Sequence, residues 1–139
     1  MRFLLIAAVF LAFSAHAAEL RLECPARYPA ADVTLPQTGN WDTGLVVGQL
    51  PLVGAGMSIG PLAQRGELRG SEQRIKSGFR TQFKFDREQE PPEKWFLCYY
   101  GAGGQVHLAR RAADTTTSCT LTHEKKRFPH EPKIQVSCQ

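Results

Sequence analysis

Apolar and polar residues alternate with a period of two in several short runs of this chain, and no helical spacing persists anywhere along it. Glu19 to Cys24 places Leu20, Leu22 and Cys24 on one face of a half-buried strand that Pro25 ends. Val33 to Leu35 reads as a short strand, and Leu45 to Leu50 as another, stopped by Pro51. Farther on, F-R-T-Q-F-K-F directs Phe79, Phe83 and Phe85 to one side. The aromatic run Lys94 to Tyr100 is the strongest strand signal and predicts a core position for Trp95. Gly101 to Gly104 turns the chain, and Gln105 to Arg110 returns as the second arm of a hairpin. Thr115 to His123 gathers Cys119, Leu121 and His123 on one face, and K-I-Q-V-S-C gathers Ile134, Val136 and Cys138.

Between these runs lie turn and breaker residues. Glycine recurs at positions 54, 56, 60, 66 and 70 with Pro61 among them, a density that excludes a helix of ordinary length and leaves at most one turn over Pro61 to Arg65. This segment is expected to be a loop or turn region. Glu88 to Glu93, with two prolines, is a charged loop that cannot join a central strand. The expected fold is therefore mostly β: one small antiparallel sheet or sandwich-like domain with long loops and at most short helical turns.

The N-terminus bears on compartment. Met1-Arg2 gives a short positive region, Phe3 to Phe13 is uninterruptedly apolar, and Ala15-His16-Ala17 forms an A-x-A site, the pattern of a secretory signal peptide over residues 1–17 cleaved after Ala17. The apolar run falls short of the ~20 residues a membrane helix needs. R-L-E-C around Cys24 lacks the small residues that precede a lipidated cysteine, so neither a span nor a lipid anchor is expected. Residues 18–139 then form a single domain in the periplasm, with secretion beyond it as the alternative. The net charge of +4, one unit of it from Arg2, is too mild and too dispersed for a nucleic-acid binder.

The chain has four cysteines, Cys24, Cys98, Cys119 and Cys138, an even number that in an exported protein implies two disulfides. No C-x-x-C occurs, which argues against zinc and against a thioredoxin-like pair. Three connectivities are open; the preferred one joins Cys98 to Cys119 and Cys24 to Cys138, tying both chain ends to the core.

The run W-F-L-C-Y-Y-G-A-G-G-Q-V-H-L-A-R-R, of the form W-x-x-C-x-Y-G, followed by Cys119 and preceded by Cys24-Pro25 and an F-x-F-D-like strand, resembles a family of small, exported, uncharacterised proteobacterial proteins. The resemblance implies an exported, cysteine-bridged β domain and carries over no catalytic residues. Small exported proteins of this type include immunity partners of antibacterial toxins, which raises that role by analogy.

No strong catalytic signature is present. L-V-G-A-G-M-S-I-G has the spacing G-x-G-x-x-x-G rather than G-x-G-x-x-G, and Pro61 stands where a helix should grow, so it is not a dinucleotide loop. His107, His123 and His130 lack zinc-ligand spacing and read as surface or strand-edge residues. There is no G-x-S-x-G, and the carboxylates do not nominate a glycosidase pair. No cofactor or metal is expected, and no catalytic residue is nominated. Two basic stretches remain: Lys125, Lys126, Arg127, Phe128 and His130 in one loop, and Arg65, Arg69, Arg74, Lys76 and Arg80 upstream. Cations beside an aromatic can steer to and anchor in an acidic cleft, and Trp41 beside Asn40 and Asp42 is a further contact candidate. The leading expectation is a non-enzymatic binding protein, an inhibitor or immunity protein that blocks an envelope-targeting enzyme or toxin. The alternatives are a peptidoglycan or glycan binder and an envelope hydrolase of unfamiliar arrangement.

Overall fold

The computed structural model describes residues 20–34, 36, 39–40, 44–86, 93–125 and 132–139. Twelve strands follow in order: β1 (Leu20–Glu23), β2 (Arg27–Tyr28), β3 (Ala31–Thr34), β4 (Gly44–Val47), β5 (Leu50–Ile59), β6 (Gly66–Glu67), β7 (Ser71–Ile75), β8 (Gly78–Lys84), β9 (Lys94–Tyr100), β10 (Val106–Arg111), β11 (Ser118–Glu124) and β12 (Lys133–Cys138). Among the described residues a single 3-10 turn, Leu62–Gln64, lies between β5 and β6, within the span where one turn was expected.

The strands form two five-stranded antiparallel sheets that share one core. The first runs β1-β12-β11-β8-β7; the second runs β10-β9-β5-β2, with β6 pairing the far end of β5. A small β3-β4 ladder stands apart. The alternation read in the sequence decides which side chains meet between the sheets. Phe83, Leu121, Ile134 and Val136 come from the first sheet, and Leu52, Met57, Phe96 and Tyr100 from the second. Each fully buried side chain of this size contributes roughly 1.5–3 kcal/mol. The Tyr100 hydroxyl, inside the core, donates to the Pro25 carbonyl at 3.0 Å, so its polar end is not left unpaired.

From Gly60 to Gly70 the glycine-rich segment is turn and irregular chain with the short β6, as expected, but its first part, through Ile59, is not a loop. It is β5, the longest strand, laid along β9 through seven paired positions with a bulge between Leu52 and Gly54. Pro51 does not end the preceding strand but lies near the start of β5, beside the two-residue β2, where a missing N–H costs little. Its carbonyl still accepts from Gly101 N at 3.1 Å. Glycine is suited to the middle of β5 because Tyr99, on the neighbouring strand, folds over it: a Cβ at Gly56 would stand 3.3 Å from the Tyr99 hydroxyl oxygen. The aromatic covers the strand in place of its missing side chains.

Trp95 is not a core residue. With Phe96, Cys98 and Tyr100 pointing inward, the pleat sends Trp95, Leu97 and Tyr99 to the outer face of the second sheet.

The cysteines pair differently from the expected Cys98–Cys119 and Cys24–Cys138. Cys24 joins Cys98, and Cys119 joins Cys138. Register explains the second bond. Ser118 and Gln139 exchange both backbone hydrogen bonds, so Cys119 and Cys138 form the adjacent non-hydrogen-bonded pair, with Cα atoms 4.1 Å apart. The first bond links the two sheets: Cys24, just beyond β1 at the edge of one sheet, reaches Cys98 in β9 of the other, Cα to Cα 5.7 Å.

Candidate functional site

The outer face of the second sheet carries a cleft of about 450 Å³. Its floor is Ser58 and Leu97, from adjacent strands. One wall is Leu62 and Arg65 from the 3-10 turn with Glu67 from β6; the other is Gly103, Gly104, Gln105 and His107 from the β9–β10 hairpin; Tyr99 forms one side. The cleft exists because the 3-10 turn and the hairpin rise on either side of a strand whose middle is glycine.

The polar groups here are incompletely satisfied. Ser58 is only 2 % exposed, yet its Oγ has no hydrogen-bond partner; Trp95 Nε1, directly across the β5–β9 ladder, is also buried without one. These are the only two such side-chain atoms among the described residues. A buried hydroxyl left unpaired costs about 1–3 kcal/mol, and that cost marks a place where a binding group would be rewarded. The Tyr99 hydroxyl donates to Glu67 Oε1 at 3.4 Å, a long bond that leaves most of the carboxylate free. Burial, reinforced by the Glu67 charge, raises the Tyr99 pKa above its usual value, so the phenol stays protonated. Arg65 is the only non-glycine among the described residues with positive φ, +50°, a left-handed conformation that costs roughly 1–2 kcal/mol.

A second cavity, about 300 Å³, opens where the chain crosses from β6 to β7 between the sheets. It shares Tyr99 and Glu67 with the first and is lined on its far side by Phe79, His123 and Glu72. Phe79 and His123 stack with ring centroids 4.3 Å apart. Burial lowers the His123 pKa, partly opposed by the Glu72 carboxylate. A third cavity, about 530 Å³ on the outer face of the first sheet, is a weaker candidate because its central carboxylate is already engaged. Gln135 donates to Glu23 at 2.8 Å, and Lys133 stands 3.3 Å from the same oxygen.

Of the residues singled out in the sequence, Lys125 is exposed just after β11, its backbone N–H bonded to the Ser77 carbonyl at 2.8 Å. That position follows His123 of the second cavity by two residues. Lys126, Arg127, Phe128, His130 and Trp41 lie outside the described residues. His107, expected at the surface, is exposed and lines the first cleft. Sequence reasoning passed over Ser58, Glu67, Tyr99 and Gln105, because nothing local marks a serine in a glycine-rich run as a cleft floor. The available signal was the pleat: positions 95, 97 and 99 alternate with the core residues of β9 and had to face outward. No group of three or more metal-ligating side chains occurs among the described residues.

The family model for the Type VI secretion system Tli immunity protein matches residues 47–139. The chain belongs to this family. The matched span covers β5 to β12 and so contains every residue lining the cleft. No curated protein and no solved structure gives a significant match. The Tli-family assignment agrees with the immunity role expected from the sequence.

Proposed function

We propose that this chain is a periplasmic, non-enzymatic immunity protein that binds and blocks a toxin delivered by a type VI secretion system, and that the cleft beside Tyr99 is the centre of the surface it uses. Membership of the Tli immunity family over residues 47–139 carries this reading. The fold supports it: two buried disulfides need an oxidising compartment to form, and residues 1–17 have the pattern of an export signal. The cleft has the anatomy of an interface centre, with an aromatic and buried apolar floor inside a polar rim. Lys125, Lys126, Arg127, Phe128 and His130, a basic and aromatic run in the sequence, are a second set of candidate contacts for an acidic partner surface.

The test is protection in competition. A susceptible strain lacking the gene is challenged by a kin strain firing its type VI apparatus, with the chain supplied complete or without residues 1–17. Survival should be restored by the complete chain alone. Killing that continues in its presence, or equal protection by the version without residues 1–17, would overturn the reading or its periplasmic setting respectively.

A further inference from the structure

The cleft is built to receive one kind of side chain. Ser58 and Glu67 face each other across β5 and β6. Because the Leu68 N–H donates to the Met57 carbonyl at the neighbouring position, Ser58 and Glu67 occupy a non-hydrogen-bonded pair, in which side chains lie closest. Among the described residues Ser58 Oγ is buried without a partner, and the Glu67 carboxylate has only the 3.4 Å contact from Tyr99. A carboxylate and a hydroxyl thus converge with accepting capacity to spare. The apolar part of the lining is Leu62, Leu97 (6 % exposed) and the Tyr99 ring. Gln105 adds an amide oxygen whose one contact is the Gly103 N–H at 3.2 Å. An acceptor-rich end behind an apolar passage fits a long side chain with a methylene stem and a cationic head.

We infer that this cleft takes a lysine or arginine side chain of the bound toxin, its cation seated between Glu67 and Ser58 and its stem against Leu62, Leu97 and Tyr99. The inference rests on the immunity reading and adds the chemistry of the anchor. It runs against the charge of the chain as a whole, which is +4. Local groups decide the preference, because an exposed charge more than a Debye length away, about 8 Å at physiological salt, is screened while Glu67 is in contact. Arg65 is the opposing group at the rim. It is exposed and makes no ion pair among the described residues, so its head can turn to solvent when the cleft fills.

The experiment measures Kd by calorimetry for the full-length oxidised chain and the toxin that it neutralises. Glu67→Gln should weaken binding at least tenfold and Ser58→Ala about tenfold, as expected for hydrogen bonds to a charged group, and Arg65→Ser should leave it equal or tighter. Thermal midpoints of all three should stay near that of the unchanged protein, since Glu67 and Arg65 are exposed and the Ser58 hydroxyl is unpaired. An independent arm titrates the labelled chain with Nα-acetyl-arginine amide and with Nα-acetyl-glutamate amide. Amide shifts at Ser58, Glu67 and Gln105 should follow the cationic probe only. If Arg65→Ser weakens binding while Glu67→Gln does not, or the glutamate probe gives the shifts, the cleft takes an anion and the inference fails. If toxin binds all variants equally, the cleft is not the anchor site, although the immunity reading stands; if unchanged protein binds no toxin, that reading fails first.

Discussion

Separate removal of the two disulfides should destabilise the protein unequally, and the order follows from topology. Cys24–Cys98 closes a loop with a sequence separation of 74, whereas Cys119–Cys138 closes one of 19, and the loops do not overlap. Loop-closure entropy then assigns about 4.5 kcal/mol to the first bond and about 3.3 kcal/mol to the second, a difference of about 1.2 kcal/mol. Burial does not separate them, since the four cysteines are all between 1 and 4 % exposed and lose comparable packing on truncation. The inter-sheet bond also holds together layers that no hydrogen bond ladder joins, whereas the other duplicates a β11–β12 ladder already in place. Urea unfolding of Cys24→Ala/Cys98→Ala and Cys119→Ala/Cys138→Ala, beside the unaltered protein, measures both losses. The first double variant should have the lower midpoint. Full reduction should remove about 8 kcal/mol, comparable with the whole stability of a small domain, and leave the chain largely unfolded. A reversed order, or a reduced protein that melts where the oxidised one does, would refute the reasoning that the disulfides act through the loops they close.

Three further outcomes follow from individual contacts. At Gly78 an added Cβ would overlap the His123 carbonyl oxygen, so Gly78→Ala must part the start of β8 from β11 and should cost about 2–4 kcal/mol in chemical denaturation. Lys94 is 3 % exposed, donates to the Asp114 carbonyl at 3.1 Å and lies 5.5 Å from the centre of the Phe85 ring. Lys94→Met should therefore fold within about 1 kcal/mol of the parent, because Asp114 can turn to water, whereas Lys94→Glu buries an anion against the ring and should cost more than about 3 kcal/mol; equal melting of the two variants would contradict this. The depressed His123 pKa means that its contribution is present above the unfolded value of 6.5 and is lost as pH falls from there through the folded pKa. Stability should thus decline on acidification below pH 6.5, and His123→Phe, which keeps a ring against Phe79, should flatten that decline; an NMR titration of the His123 ring with its midpoint at or above 6.5 would count against it.

How far the site was legible depended on which structural period each residue obeyed. Cys119, Leu121, Ile134, Val136 and Cys138 followed strict alternation, and their shared inner face could be read directly. Trp95 was misassigned because a run of aromatic residues conceals its own pleat: burial on both faces gives Leu97 and Phe96 similar exposure although they point to opposite sides. Gly54 and Gly56 made a strand resemble a loop, since strand propensity measures side-chain packing and here the packing side chain belongs to Tyr99. Glu67 and Ser58 became neighbours only through the return of the chain after the 3-10 turn, a pairing that no local pattern announces.

By itself the sequence determined the β class, the hairpin around Gly101, the inward faces of the last strands and the presence of two disulfides. These depend on local propensity, on composition or on pattern, all carried within short windows of chain. Tertiary structure alone decided which cysteines meet, that the chain through Gly54 and Gly56 is the long strand β5, and that Ser58, Glu67, Tyr99 and Gln105 surround one cleft. Those outcomes depend on the order of strands within two interleaved sheets, in which residues 74 apart in the chain lie side by side. Alternation tells a side chain which face to take; only strand pairing tells it what stands opposite.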